Sequence, residues 1–344
     1  MGLFTINCTP MKKYWFIACL LILFSKPVYP QLKPDTSFYI KNNKSIYGLV
    51  IAKNSKIVYQ QFFNGKTDRS LLNEQSLTKG VMSLLIGIAI DKGYITSVDE
   101  KISKYFPQLT TDKDPRKQNI TIREIMNQSS GLYHEDLNDL KAYLKEKDPA
   151  GLVLKKPLIA DPGTAFYYNN AASHLLSVIL TKATNMPTFD FAKKFLFEPM
   201  DITDVDWAKM KDGFYDGGGL LSIRMHTQDL VKIGGLLLNN GFYGNKRLIT
   251  SKWIKELSHP ATTFDTEWGF KNSNYALGWY HFTYEGANVT YALGWGGQFL
   301  VIVPKYKAII AVNQRIEDED AIMQSARFVE KIFPVLYDEI RKQK

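Results

Sequence analysis

Hydrophobic positions are spaced differently at the two ends of this chain and in its middle. Residues 45–53 ("SIYGLVIAK") and 56–63 ("KIVYQQFF") are apolar and rich in β-branched side chains, and they flank Asn54-Ser55. That pattern predicts a β-hairpin. Four stretches of the same character follow near the other end: "YALGWYHF" from Tyr275, "VTYALG" from Val289, "FLVIVP" from Phe299 and "KAIIAVNQ" from Lys307, with Pro304-Lys305 as a turn signal. Between about 76 and 260 the spacing is mainly helical.

Several helix starts are specified chemically. Thr121 and Glu124 form a capping box, in which the hydroxyl takes the N3 amide and the carboxylate reaches back, and Ile120 and Ile125 occupy the staple positions around it. Gly131 suits a left-handed helix terminus, Ser97 to Glu100 repeats the capping-box pattern, and Thr227 is placed to cap the helix that runs toward Gly241. The order of elements predicts an α/β (α+β) architecture. One antiparallel sheet is built from both chain ends (about 31–105 and 270–344) and flanked by helices, with a mainly helical lobe from about 106 to 269. A cleft between the two parts is the expected ligand site.

The first thirty residues stand apart. Lys12 and Lys13 precede an apolar run from Tyr14 to Phe24 that is too short to span a bilayer, which is the layout of an export signal with Met11 as its start. Residues 31–344 would then be the mature domain, periplasmic or extracellular, with no stable membrane span. Cys19 lies in the middle of the apolar run, away from the position that lipid attachment would need. Cys8 and Cys19 are the only cysteines, so removal of this segment leaves no disulfide, thiol nucleophile or cysteine metal site. The net charge of +9 falls to +6 without Lys12, Lys13 and Lys26. This excess is spread along the chain with no cluster of basic residues, which argues against a nucleic-acid footprint.

Ser76 and Lys79 lie three residues apart at the start of a segment that is apolar almost all round from Val81 to Ile90. On a helix the two share a face, and a desolvated amine there can take the proton of a hydroxyl that is a weak nucleophile unaided. A lysine that snorkels to water fits the same spacing. "PGTAFYYNN", from Pro162, sets two tyrosines and two asparagines at a loop-to-helix junction, where Asn170 also reads as an ordinary N-cap. "ALGWGGQFLVIVP", from Ala292, runs glycines into an apolar strand. Such glycines offer backbone amides to an oxyanion or mark a bulge.

Together these stretches resemble the beta-lactamase-related serine hydrolases: class C beta-lactamases, D-alanyl-D-alanine carboxypeptidases, related esterases and nylon-oligomer hydrolases. The resemblance runs from about Tyr47 to Asn313 and includes "SLTKG", "AIDKGYITSVDEKISKYFP", "ITIREIMNQSSGL" and "DGGGLLSIRMHTQDLVKIGGLLLNNG". It implies a beta-lactamase/transpeptidase-like fold, with Ser76 as the acylated nucleophile, Lys79 as its activating partner and Tyr168 as the catalytic tyrosine. It also implies Asn170 as the motif's asparagine and Tyr167 as a packing neighbour. Gly294-Trp295-Gly296 stands where the family carries Lys or His, then any residue, then Gly, so Trp295, Gly296 and Gly297 are the substrate-binding candidates, the amide of Gly297 serving with that of Ser76 as oxyanion donor. The missing cation is the family's usual reader of a substrate carboxylate. Its loss points to an ester, amide or peptide substrate without that group, cleaved with neither metal nor organic cofactor.

Two rivals weigh less. A Ser-His-Asp hydrolase needs a glycine-flanked nucleophile elbow that no serine here has, and His134, His174, His226, His259 and His281 are scattered without zinc spacing. A non-catalytic binder of cell-wall fragments would be expected to have lost Ser, Lys or Tyr, and all three are present. "HEDLNDLKAYLKEKD" and "HPATTFDTEWGFKNSN", the latter with Trp268, read as rims of the cleft, and the oligomeric state has no signature in the sequence.

Overall fold

The structure is a computed structural model that describes residues 2, 40–41, 43–135, 139–259, 261–264, 269–316 and 320–342. The export-signal segment and Trp268 lie outside the described residues.

The two chain ends meet in one antiparallel sheet. Its strands are β1 (Ile46–Lys53), β2 (Lys56–Phe62), β8 (Thr262–Phe264), β9 (Ser273–Ala276), β10 (Trp279–Tyr284), β11 (Ala287–Gly294), β12 (Gln298–Val303) and β13 (Ala308–Gln314), in the order β2-β1-β13-β12-β11-β10-β9-β8. The predicted hairpin forms through Asn54 and Ser55, both with positive φ as a two-residue turn between twisted strands requires. β12 and β13 are buried along their whole length. Alternation sends Leu300, Ile302, Ile309 and Ala311 to one face, and Phe299, Val301, Val303, Ile310 and Val312 to the other.

Each face has its own core. The C-terminal helical segment from Ala321 to Lys342 covers one with Phe328, Phe333, Leu336 and Tyr337. The helical middle covers the other through α1 (Thr78–Asp91), α2 (Ile122–Met126), α3 (Asn170–Thr184) and α4 (Thr227–Leu238). α1 is buried on every side from Thr78 to Ala89, as its lack of a polar face predicts. The middle also carries small antiparallel pairings that periodicity did not reveal: β3 (Leu72–Asn73) with β5 (Ile223–Met225), β5 with β4 (Asp206–Trp207), and β6 (Phe242–Tyr243) with β7 (Lys246–Arg247).

The capping box at Thr121 and Glu124 is present, with Ile120 and Ile125 fully buried beside it. Other terminus expectations are corrected. Ser97 to Glu100 closes a turn and starts no helix: Asp99 N donates to Ser97 Oγ (3.2 Å), and Glu100 Oε2 is taken by Thr96 N (2.9 Å). His226, with extended backbone, is the N-cap of α4, and Thr227 is already helical with its hydroxyl tucked against Gly48 of β1. α2 ends before Gly131, whose left-handed backbone serves contact with the Ala160 carbonyl.

Candidate active site

Ser76 follows a backbone elbow. Gln75 has φ 51°, a conformation costing an ordinary residue about 1–2 kcal/mol. It is held by Asn73 Oδ1, which accepts from both the amide and the side chain of Gln75 at 3.0 Å. Backbone crowds this elbow. A Cβ on Gly219 would stand 2.8 Å from Ser76 Cα, and one on Gly294 would stand 2.3 Å from the Glu74 carbonyl. Only glycine lets the two segments approach so closely.

Ser76 opens into α1, one turn before Lys79. The Lys79 side chain is 4% exposed, and its Nζ lies 3.1 Å from Ser76 Oγ and 2.6 Å from Asn170 Oδ1, with the Gly218 carbonyl as a third partner. The snorkelling alternative is thereby excluded, because the amine points inward to three oxygens. Asn170 is available because the adjacent residue takes the cap: Asn169 Oδ1 accepts from Ala172 N (2.7 Å), while Asn170 is the first residue of α3. The reading of Asn170 as N-cap is therefore corrected by one position.

Tyr168 presents its ring face to Lys79, with Nζ 4.6 Å from the centroid. Its phenol joins two fully buried ones, Tyr275 and Tyr280. Burial holds both of these well above the ordinary tyrosine value, and the neighbouring Tyr168 adds to it. Tyr167 is corrected from packing neighbour to exposed rim residue: it is 40% exposed and stacks on His134 at 5.9 Å, while Phe166 makes the inward contact, against Tyr275.

The third candidate stretch divides. Gly294, at the end of β11, presses on the Glu74–Gln75 segment before Ser76, and Trp295 is half-buried in the turn to β12. Gly296 and Gly297 face the other way, toward Arg315, Gln314 and Ser325. The Gly297 amide donates to the Gly294 carbonyl (3.1 Å), closing the turn, so the expected oxyanion role of that amide is corrected.

Three buried acids escaped the sequence reading. Glu135 accepts from the amides of Asn170 (3.2 Å) and Ala171 (3.0 Å), placing negative charge at the start of α3 where the helix dipole favours it. Asp216 accepts from Gly218 N (2.7 Å) and Leu221 N (2.6 Å) and so shapes the loop whose carbonyl meets Lys79. Behind it, fully buried His174 is bonded through Nε2 to Asp212 (2.9 Å), while its Nδ1, 3.7 Å from Asp216, makes no hydrogen bond. The third acid, Glu74, has no exposed surface.

The profile of the Beta-lactamase family matches residues 43–327. The chain belongs to the beta-lactamase family. Among curated relatives, Beta-lactamase-like protein 2 of Dictyostelium discoideum is 28% identical over 179 residues, 49% of this chain and 29% of that protein. The chain thus spans under a third of the length of the curated relatives it matches. Among solved structures, a penicillin binding protein from Bacillus halodurans superposes with TM-score 0.69 at 15% identity, covering 88% of this chain and 100% of that one. A D-stereospecific amidohydrolase from Streptomyces sp. superposes with TM-score 0.63 at 16% identity, covering 83% and 94%. At these identities the superpositions establish a shared beta-lactamase/transpeptidase-like fold. Among the described residues of this family member, no helix is long and apolar enough to cross a membrane.

Proposed function

We propose that this member of a serine hydrolase family opens an ester or amide bond through an acyl-enzyme on Ser76, with Lys79 as proton acceptor. The observation that carries this reading is the set of three oxygens around Lys79 Nζ. Asn170 Oδ1 and the Gly218 carbonyl can only accept, so they take two N–H bonds of the amine. In the neutral amine the remaining position is a lone pair directed at Ser76 Oγ. It takes the hydroxyl proton as the oxygen attacks the substrate carbonyl.

The proton then passes to the leaving group as the tetrahedral intermediate collapses to the acyl-enzyme. Water enters by the same route reversed, giving up its proton as it releases the acid and restores Ser76. Tyr168, its ring on the lysine, is the second proton-handling group. Of the proposed oxyanion donors, the Ser76 amide remains, in the first turn of the helical segment where amides lack intrahelical partners. The end of β11, brought close by Gly294, completes the wall.

Gly294 in the cation's place, with half-buried Trp295 beside it, supports substrates without a carboxylate beside the scissile bond. An amide is the bond named for the similar Streptomyces enzyme, so short linear amides belong in the trial beside p-nitrophenyl esters, nitrocefin and D-alanyl peptides. The charged and apolar run from Met11 to Phe24 supports export as the setting. A fluorophosphonate probe is expected to add to Ser76, read by intact mass. Ser76→Ala is expected to lower turnover by about six orders of magnitude. A folded, unmodified protein, or a Ser76→Ala variant within tenfold of wild type, refutes the assignment.

A further inference from the structure

Glu74 lies two residues before Ser76, wholly buried, yet has one hydrogen bond: Asn313 Nδ2 donates to its Oε2 at 2.9 Å. Its Oε1 is buried without a partner, and so is Asn313 Oδ1, the other half of the same pair. The orientation of Asn313 is fixed from behind. Gln298 Nε2 donates to the carbonyls of Trp295 (3.2 Å) and Gln314 (3.0 Å). Gln298 Oε1 therefore faces Gln314 N (2.8 Å) and Asn313 Nδ2 (3.3 Å). Asn313 Oδ1 is left needing a donor, and the group opposite is a carboxyl.

We propose that Glu74 is a neutral carboxylic acid whose proton, on Oε1, is donated to Asn313 Oδ1, so that acid and amide form a doubly hydrogen-bonded pair that positions the nucleophile's elbow. One proton satisfies both orphaned atoms. An ionised carboxylate at this depth with a single neutral donor is the more costly alternative, since such a group neutralises rather than remain charged. Burial accordingly raises Glu74 well above the ordinary carboxyl value, against the lowering effect of the Asn313 bond.

Among the described residues, no charged side chain is bonded to the Glu74 carboxyl, and the Arg315 that follows β13 lines a pocket with Lys44, Asp320 and Arg327. β3, β12 and β13 carry no titratable side chain; Tyr291 of β11 is bonded to Ser273; Arg224 of β5 is exposed on Asp206; and Lys79 of α1 is turned to Ser76, Asn170 and Gly218. Through Asn313 and Gln298 the pair ties the elbow to the Trp295 turn, so Glu74 is a positioning residue for the opposite walls of the cleft.

The positional role rests on Ser76 being the nucleophile; the protonation does not, and the two are read separately. Because the folded state holds the proton more tightly than the unfolded chain, stability is full below about pH 4.5, the ordinary carboxyl value, and falls as pH rises above it. Glu74→Gln keeps both hydrogen bonds without a titrating proton. Its urea midpoint is expected to lose that decline, and the protonated-carboxyl stretch seen by infrared in wild type is expected to vanish. Its kcat should stay within about threefold of wild type, while Glu74→Leu, which frees the elbow, should lower kcat about a hundredfold. Equal pH slopes in wild type and Glu74→Gln, or no infrared difference, overturn the protonation. A Glu74→Gln variant with kcat a hundredfold down overturns the positioning role, and this comparison with wild type stands even where Glu74→Leu fails to fold.

Discussion

Two adjacent asparagines offer a sharp division between stability and chemistry. Asn169 is 2% exposed; its Oδ1 caps α3 through Ala172 N, and its Nδ2 donates to the carbonyls of Leu132 (3.1 Å) and Tyr133 (3.0 Å). Asn169→Ala removes a cap worth about 1 kcal/mol and leaves two carbonyls short of a donor at about 1 kcal/mol each. The sum, about 3 kcal/mol, corresponds to a Tm about 6 °C lower for a chain of this size. Asn170 makes a single side-chain bond, to Lys79, at a half-exposed position where water can substitute, so Asn170→Ala should cost at most about 1.5 kcal/mol, or about 3 °C. Turnover should rank them in the opposite order. Without the oxygen that orients the amine, Asn170→Ala is expected to lose about 10²- to 10³-fold in kcat, whereas Asn169→Ala, assayed well below its Tm, stays within about tenfold. Thermal scans and steady-state kinetics on the best p-nitrophenyl ester read both. A large Tm loss in Asn170→Ala with turnover intact, or the reverse pattern in Asn169→Ala, would refute the division.

Gly294→Ala places a methyl group 2.3 Å from the Glu74 carbonyl, so we expect about 1–3 kcal/mol of destabilisation in urea and a fall in kcat from displacement of the Ser76 elbow. Thr121→Ala removes the capping-box hydroxyl and should cost about 1 kcal/mol with kcat unchanged, since α2 touches no reacting group. Burial opposes ionisation of Glu100, but hydrogen bonds from Thr96 and Tyr105 outweigh it and hold the carboxyl down to about 2. Its folded value lies below its unfolded one, so this stability is present above about pH 4.5 and lost as pH falls toward 2; the urea midpoint of Glu100→Gln should decline less across that window than that of wild type.

The sequence was legible where the chemistry is local. Hairpin turn, capping box and buried α1 follow from neighbours within a few residues, and Ser76 meets Lys79 because a helix sets positions i and i+3 on one face. Terminus assignments failed by one residue where two candidates compete. Asn169 and Asn170 are chemically equivalent caps, and only tertiary contact, Leu132 and Tyr133 on one side and Lys79 on the other, gives each its place. The buried acids were illegible for the same reason. Glu74 and Asn313 are 239 residues apart, as are no two groups that a periodicity can relate. Gly297 looked like a ligand-facing glycine, but the chain beyond it had to return past Gln314, and that turn takes its amide.

Glycine supplies the last step. Gly80 fits under the Trp279 ring, while Gly278 stands against the Lys79 carbonyl, Gly219 against Ser76 and Gly294 against the Glu74 carbonyl, so that three segments converge on one helical turn at backbone contact. A side chain at Gly219, Gly278 or Gly294 would press on backbone and shift the Ser76 turn, so this inner wall is fixed by the geometry that the proposed reaction requires. The rim offers side chains that can change without such displacement, where Trp295 is half-buried and Tyr167 lies exposed on His134. The inner glycines therefore hold the Ser76 turn in place, and the rim aromatics are where a substitution leaves that turn undisturbed.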